Sequence, residues 1–395
     1  MSTAVTRRAR IAAAALASFV LPVCTRVEPR RVVFTSFHGR GYRGNPRVLF
    51  ERMLEQGGWD PVWLATDPRI VAELRIRFGP ACAHLTHSTT GVLALATAAA
   101  VVMSHGITDL PWLRLPRRAQ RVQSWHGLPT KRGELMPEPG RRVTAWTRLQ
   151  IRRRFGPFTA FLSSSPFVTR IYAKRFGLPA STFLELGYPA YDMLMRSPPP
   201  RLDTRRTWPD APDHERLLLY APTFRKRERT RLFPFPDADV EAFSAFLEET
   251  RALCCLRPHP NEGIDLAPWL AASPRFVVAD DRALEEAYTL VAAADVIVTD
   301  YSGIYLEGLL CDTPCVFVPY DLDRYERGIP WDYDAHTPGP HVATQAELIR
   351  ACHQAFTSPQ RHRAERAHVR DIFFADADDH STDRVLAWLA NALDS

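Results

Sequence analysis

From Arg30 onward, short apolar runs rich in β-branched residues alternate with stretches whose apolar positions recur at helical spacing. That alternation is the pattern of parallel strands covered by helices on both faces. In the first half it predicts strands at 31–37, 61–66, 100–106, 121–127, 159–165 and 182–189, with a helix from Pro46 to Glu55 among those between them. In the second half it predicts strands at 217–224, 252–259, 275–280, 295–300 and 315–320, and helices over 237–250, over 282–293 and from Ser302. These strands are apolar throughout, as burial on both faces requires. Thr344, followed three residues later by Glu347 and then by Leu348, Ile349, Cys352 and Phe356, predicts a capping box that opens a terminal helical region.

Residues 197–214 (SPPPRLDTRRTWPDAPDH) are dense in proline and charge and lack apolar periodicity, so they read as a linker. The expected architecture is α/β, with two doubly wound parallel-sheet domains, 30–196 and 215–395, facing a ligand cleft. A length of 395 residues with 46% hydrophobic content is enough for two cores. Ahead of them, Arg7, Arg8 and Arg10 precede an apolar run from Ile11 to Val23. That run is too short to span a bilayer. Residues 1–29 therefore read as a basic interfacial helix or a disordered leader, with export as the lesser alternative.

Lys and Arg number 50 against 44 Asp and Glu, a formal charge of +6 that favours anionic partners without choosing among them. Among the seven cysteines there is no CxxC pair and no zinc-type spacing, and Cys254, Cys255, Cys311 and Cys315 sit in apolar runs. This pattern fits a reduced compartment and calls for no metal and no cofactor. Residues 141–155 (RRVTAWTRLQIRRRF) interleave Trp146, Leu149, Ile151 and Phe155 with arginines, including Arg152, Arg153 and Arg154. Such a composition suits a helix on an anionic membrane surface, which Trp112, Leu113 and Leu115 would extend, and equally suits an ordinary amphipathic helix with solvated arginines. Nucleic acid is not expected, because no stacking platform or groove-reading motif accompanies the charge.

The candidate chemistry lies at strand ends. In the segment 292–328 a buried strand ends at Asp300, a turn carries Tyr301, Ser302 and Gly303, and a helix follows. Free N–H groups at such a turn suit phosphate, although Ser302 could simply cap the helix. Glu307, further along that helix, is within reach of a ribose. Arg257 and His259 in LRPHP, and Arg225 in YAPTFRKR, follow strands and suit a pyrophosphate, although Arg257 and Arg225 could be surface charges and His259 could brace the turn at Pro258 and Pro260; Lys226 and Arg227 read as surface charges. In SWHGLPTKRGEL (124–135), His126 ends a strand and Lys131 follows closely. His126 is the candidate general base, and His38, at a similar strand end in FTSFHGRGYRGNP, competes for that role.

Six ordered blocks, SFHGRGYRGNPRVLFE (36–51), WHGLPTKRGEL (125–135), LYAPTFR (219–225), RPHP (257–260), 294–328 and DYDAHTPGPHV (332–342), together resemble the CDP-glycerol glycerophosphotransferase family. This family comprises teichoic acid primases and polymerases of GT-B fold. The resemblance implies transfer of glycerol phosphate from CDP-glycerol to a lipid-linked saccharide or polyol phosphate acceptor, at the cytoplasmic face of the membrane. It also implies a catalytic role for His126, a place near the donor pyrophosphate for His259, and a phosphate-binding turn at Ser302. Three departures stand out: LPTK after WHG, Gly303 where a second serine is usual, and the form RPHP. Two rival readings are a GT-B transferase using CDP-ribitol or a nucleotide sugar, and a membrane-bound nucleotide-binding scaffold without chemistry.

Overall fold

The computed structural model describes residues 2–138, 140–197, 202–225, 229–258, 264–280, 284 and 287–394. They form two compact units. The first comprises 1–127, 140–192 and 380–395; the second comprises 128–139 and 193–379.

The first unit is built on seven parallel strands: β1 (Glu28–Phe34), β2 (Asp60–Ala65), β3 (Ala83–Leu85), β4 (Ala98–Met103), β5 (Gln120–Gln123), β6 (Ala160–Ser163) and β7 (Phe183–Glu185). Their order across the sheet is β3-β2-β1-β4-β5-β6-β7. Val32 and Val33 of β1 pair with Pro61 and Val62 on one side and with Ala100 and Val101 on the other. This places Val32, Val33 and Phe34 out of solvent, together with all of Ala98–Met103. The short strand β3, Ala-His-Leu, carries no β-branched residue and was not predicted from the sequence.

The second unit is a five-stranded parallel sheet of β8 (Arg216–Ala221), β9 (Ala252–Leu256), β10 (Phe276–Val278), β11 (Val296–Thr299) and β12 (Cys315–Phe317), in the order β10-β9-β8-β11-β12. Its core gathers Leu218, Tyr220, Phe243, Leu247, Cys254, Val296, Val298, Leu348 and Cys352. The expected capping box is present: Thr344 Oγ1 accepts from Glu347 N, and the Glu347 carboxylate accepts from Thr344 N.

Three features add to the sequence reading. Within residues 1–29, read as an interfacial helix or a leader, Ser2–Cys24 is a helix that buries Ala14 and Ser18 and packs on the helix Thr89–Ala96. Within 197–214, read as a linker, a helical turn at Thr204–Thr207 precedes a buried Trp208. The indole N–H of Trp208 donates to Val278 O at 2.7 Å, docking that part of the segment on the second unit. The last helix, Ser381–Asp394, belongs to the first unit instead of the second. Buried Asp192 accepts from Ser381 N at 3.0 Å and Thr382 N at 2.8 Å, satisfying N–H groups that a helix start leaves open.

Candidate active site

In an open parallel sheet, the place where strand order reverses leaves a crevice at the carboxyl ends of two neighbouring strands. In the first unit the reversal falls between β1 and β4, with β5 next to them. The sequence carries His-Gly after each of these strands, at His38, His105 and His126. The strands stop at Phe34, Met103 and Gln123, short of the predicted ends, because the residues that follow leave the ladder to shape the site. Phe37, His38 and Trp125 take φ of 50°, 61° and 54°, a left-handed region that side chains seldom enter and that clusters at functional sites.

Asp109 holds two of the loops. It is fully buried, and its carboxylate accepts from His38 N at 2.6 Å and from Ser104 N and His105 N at 2.7 Å each. Burial pushes its pKa up, and these hydrogen bonds oppose that rise. Gly39 is required here, since a Cβ on it would stand 3.0 Å from Asp109 O at a φ of +72°. Asn45, also buried, donates to Ser124 O at 2.9 Å and Trp125 O at 3.2 Å, and accepts from Ala190 N, which fixes the backbone just before His126.

The three imidazoles form one cluster. His105 lies 3.9 Å from His126, nearly parallel to it, and 4.8 Å from His38, while Trp125 packs on His126 at 4.4 Å. His126 Nδ1 is 3.1 Å from Ser104 O; a carbonyl only accepts, so Nδ1 carries the proton and Nε2 keeps its lone pair. Crowding by the surrounding side chains lowers the His126 pKa, with the Ser104 carbonyl opposing, so the ring is neutral at pH 7. His38 follows the same logic. Thr108 Oγ1 gives its only proton to His105 O at 2.7 Å, so it accepts from His38 Nδ1 at 3.0 Å. Each ring therefore offers a basic Nε2, the requirement for taking a proton from a hydroxyl.

In the second unit the reversal falls between β8 and β11, and Arg225 and Asp300 follow those strands. Arg225 is buried, bidentate to Asp321 at 2.9 and 2.7 Å and 2.8 Å from Asp300, with the rings of Tyr301, Tyr320 and Tyr325 around it. Burial alone would favour the neutral guanidinium, but Asp321 and Asp300 hold it charged. Arg225, expected at a pyrophosphate, is neutralised by these two carboxylates in this structure. Its part is to order the turn: Asp300 accepts from Thr223 N at 2.8 Å and Tyr301 N at 2.5 Å, and Tyr333 donates to Asp300 O at 2.8 Å.

Ser302 and Gly303 follow, half-buried, ahead of the helix Ile304–Leu310 that carries half-buried Glu307. Ser302 Oγ is a weak cap, 3.5 Å from Ile304 N. Gly303 packs on Thr130: a Cβ there would stand 2.9 Å from the Thr130 methyl. Arg257 donates to Ala279 O at 2.5 Å. His259, Lys226 and Arg227 lie outside the described residues. Lys131, expected beside His126, falls in the second unit, whereas His126 falls in the first. On the helix Ala145–Phe155, Arg152 and Arg153 are exposed. Arg154 is instead half-buried, with its Nε buried on the side of Gly106.

His105, Asp109, Asn45 and Asp321 were not singled out from sequence. The signal for His105 was available, because SHG at 104–106 repeats the strand-His-Gly pattern of FHG and WHG.

Two parallel sheets flanked by helices, each with polar residues at its switch point, define an α/β protein of the GT-B type. The wall teichoic acid polymerase TagF shares this fold with a TM-score of 0.74 at 22% identity, over 93% of this chain and 90% of that one. The S. aureus MnaA–UDP co-structure does so at a TM-score of 0.53 and 12% identity, over 92% and 97%. The sequence model of the CDP-glycerol:poly(glycerophosphate) glycerophosphotransferase family matches residues 17–391, and the chain belongs to that family. It is 27% identical to a teichoic acid glycerol-phosphate transferase of Staphylococcus aureus over 82% of this chain and 83% of that protein. It is also 27% identical to the teichoic acid poly(glycerol phosphate) polymerase of Bacillus subtilis over 83% of this chain, which spans only 44% of that relative. The chain is thus a transferase of the CDP-glycerol glycerophosphotransferase class.

Proposed function

We propose that a hydroxyl of a growing poly(glycerol phosphate) chain or a lipid-linked saccharide attacks the phosphorus that bears glycerol in CDP-glycerol. The new O–P bond forms as the bridging P–O bond breaks, and CMP leaves. His126 Nε2 takes the hydroxyl proton. The observation that carries this reading is the hydrogen bond from His126 Nδ1 to Ser104 O, which selects the tautomer a general base needs. On the second unit, the turn Asp300–Gly303 and Arg257, with His259, receive the donor's diphosphate, and Glu307 its ribose.

His126→Ala tests the assignment. CMP release should fall by roughly 10²–10⁴-fold, the usual worth of a positioned base, while calorimetric affinity for CDP-glycerol stays intact. Near-normal turnover would remove His126 from the role and leave His38 as the candidate.

We further propose that the protein works at the cytoplasmic face of the membrane as a peripheral protein. Among the described residues no helix is long and apolar enough to cross a membrane. Supporting a surface mode, the N-terminal helix leaves Leu16, Phe19, Val20 and Val23 exposed, and Trp112 and Trp146 are exposed as well.

A further inference from the structure

At the carboxyl ends of β1, β2 and β3, under the N-terminal helix, the first unit holds an open cavity of about 770 Å³. That lies within the range of about 300–1,000 Å³ typical of small-molecule sites. We infer that this cavity binds the phosphodiester chain of the polyol phosphate acceptor, with Arg10 and Arg40 as the phosphate contacts and the cavity's His38 side as the end nearest the chemistry. The inference rests on the acceptor class proposed above.

Three observations carry it. Arg10 and Arg40 both line the cavity and are exposed, and neither has an ion-pair partner among the described residues. The third arginine, Arg69, is taken by Asp67 at 2.7 Å, so the cavity carries two uncompensated positive charges. Second, Thr86 is fully buried in the lining, and its Oγ1 has no hydrogen-bond partner. A buried hydroxyl left unpaired is costly, and a ligand oxygen or hydroxyl would satisfy it. Third, His87 Nε2 donates to Pro111 O at 2.9 Å, and Trp112, three-quarters exposed, adds an aromatic face to the lining.

A chain of alternating phosphodiesters and hydroxyl-bearing carbons matches this lining. Its negative charges meet arginines that have no ion-pair partner among the described residues, its hydroxyls meet Thr86 and His87 Nδ1, and its C–H faces meet Trp112 and Ile11. The same helix leaves Leu16, Phe19 and Val20 exposed beyond Arg10 and Ile11, which suits an acceptor whose far end is attached to lipid.

The test uses the full chain with a soluble, lipid-free poly(glycerol phosphate) oligomer. In steady state, Arg10→Ala and Arg40→Ala should each raise the oligomer KM about ten-fold, the weight of a charge-assisted contact, with the CDP-glycerol KM unchanged. Fluorescence anisotropy with a labelled oligomer, without donor, should show the same loss of affinity. Thr86→Val, which keeps the shape and removes the orphan hydroxyl, should weaken oligomer binding while leaving Tm equal or higher. An unchanged oligomer affinity in the double arginine variant, or a rise confined to the CDP-glycerol KM, would overturn the inference. So would a double variant that loses only its sedimentation with anionic vesicles, since the arginines would then serve lipid headgroups. The binding arm stands apart from turnover: if the wild type releases no CMP with this oligomer yet binds it through Arg10 and Arg40, the functional reading fails and the site remains.

Discussion

The imidazole rings of His105 and His126 lie 8° from parallel with centroids 3.9 Å apart, so each covers one face of the other. Burial is the first cause of the lowered pKa at both, and at His105 the charges of His126 and His38 add to it. His126 is exposed, and the His105 ring covers one of its faces; an apolar ring in place of His105 would keep that face covered, whereas a small residue would open it to water.

On this basis the acid limb of kcat/KM should lie below the ordinary imidazole value of about 6.5 in the wild type and in His105→Phe, and rise toward it in His105→Ala. Initial rates of CMP release across pH 4.5–8 (roughly three units around that value) read this directly. Identical limbs in the wild type and His105→Ala would show that the stack does not tune the base.

The same shifts set the pH dependence of stability. Both folded pKa values are depressed, so the unfolded chain binds protons near pH 6.5 (about the free imidazole value) that the native state does not. Native stability is therefore full above that pH and is lost as pH falls toward the folded values. Thermal melts between about pH 7 and pH 5 should show Tm falling, with a shallower fall in His105→Phe, which removes one of the two groups. Equal slopes would count against the coupling.

Arg225 holds two buried carboxylates, Asp300 and Asp321, that have no other cation against them among the described residues. Arg225→Ala should lower unfolding free energy by about 3–5 kcal/mol, the cost of stranding buried charge. Arg225→Lys should recover part of that loss, since it restores charge but not the bidentate fork. Urea denaturation measures both. A loss under about 1 kcal/mol in the alanine variant would mean the carboxylates find other partners, a surface-like outcome.

Gly303 and Thr130 form a tight packing pair. Gly303→Ala should cost about 1–3 kcal/mol by overpacking, although its φ of −65° carries no backbone penalty. Thr130→Ser removes the methyl that obstructs, so the double variant should be more stable than the sum of the singles. Strict additivity in a double-mutant cycle would refute the pairing.

Arg152 and Arg153 are exposed on the basic helix, while Arg154 is half-buried on the side of Gly106. Neutralising Arg152 and Arg153 should weaken sedimentation with anionic vesicles by about 1 kcal/mol per residue at low salt and less at high salt. Arg154→Gln should leave sedimentation unchanged. Equal effects from all three positions would show that the partial burial of Arg154 does not persist at a membrane.

The alternation of apolar runs and helical periods marked two parallel-sheet units, because a strand buried on both faces must be apolar along its length and a covering helix must be striped. It also marked the strand ends that carry His38, His126, Asp300 and Ser302, and the capping box at Thr344, which is a local arrangement of neighbouring residues. Periodicity reports that a face is buried, not what buries it. Only the tertiary structure set β4 between β1 and β5, and so brought His105 against His126. Only it gave Arg225 to Asp321, 96 residues away, and Ser381–Asp394 to Asp192, 189 residues away. A charge in a sequence does not declare which opposite charge will reach it, since that pairing depends on which strands become neighbours.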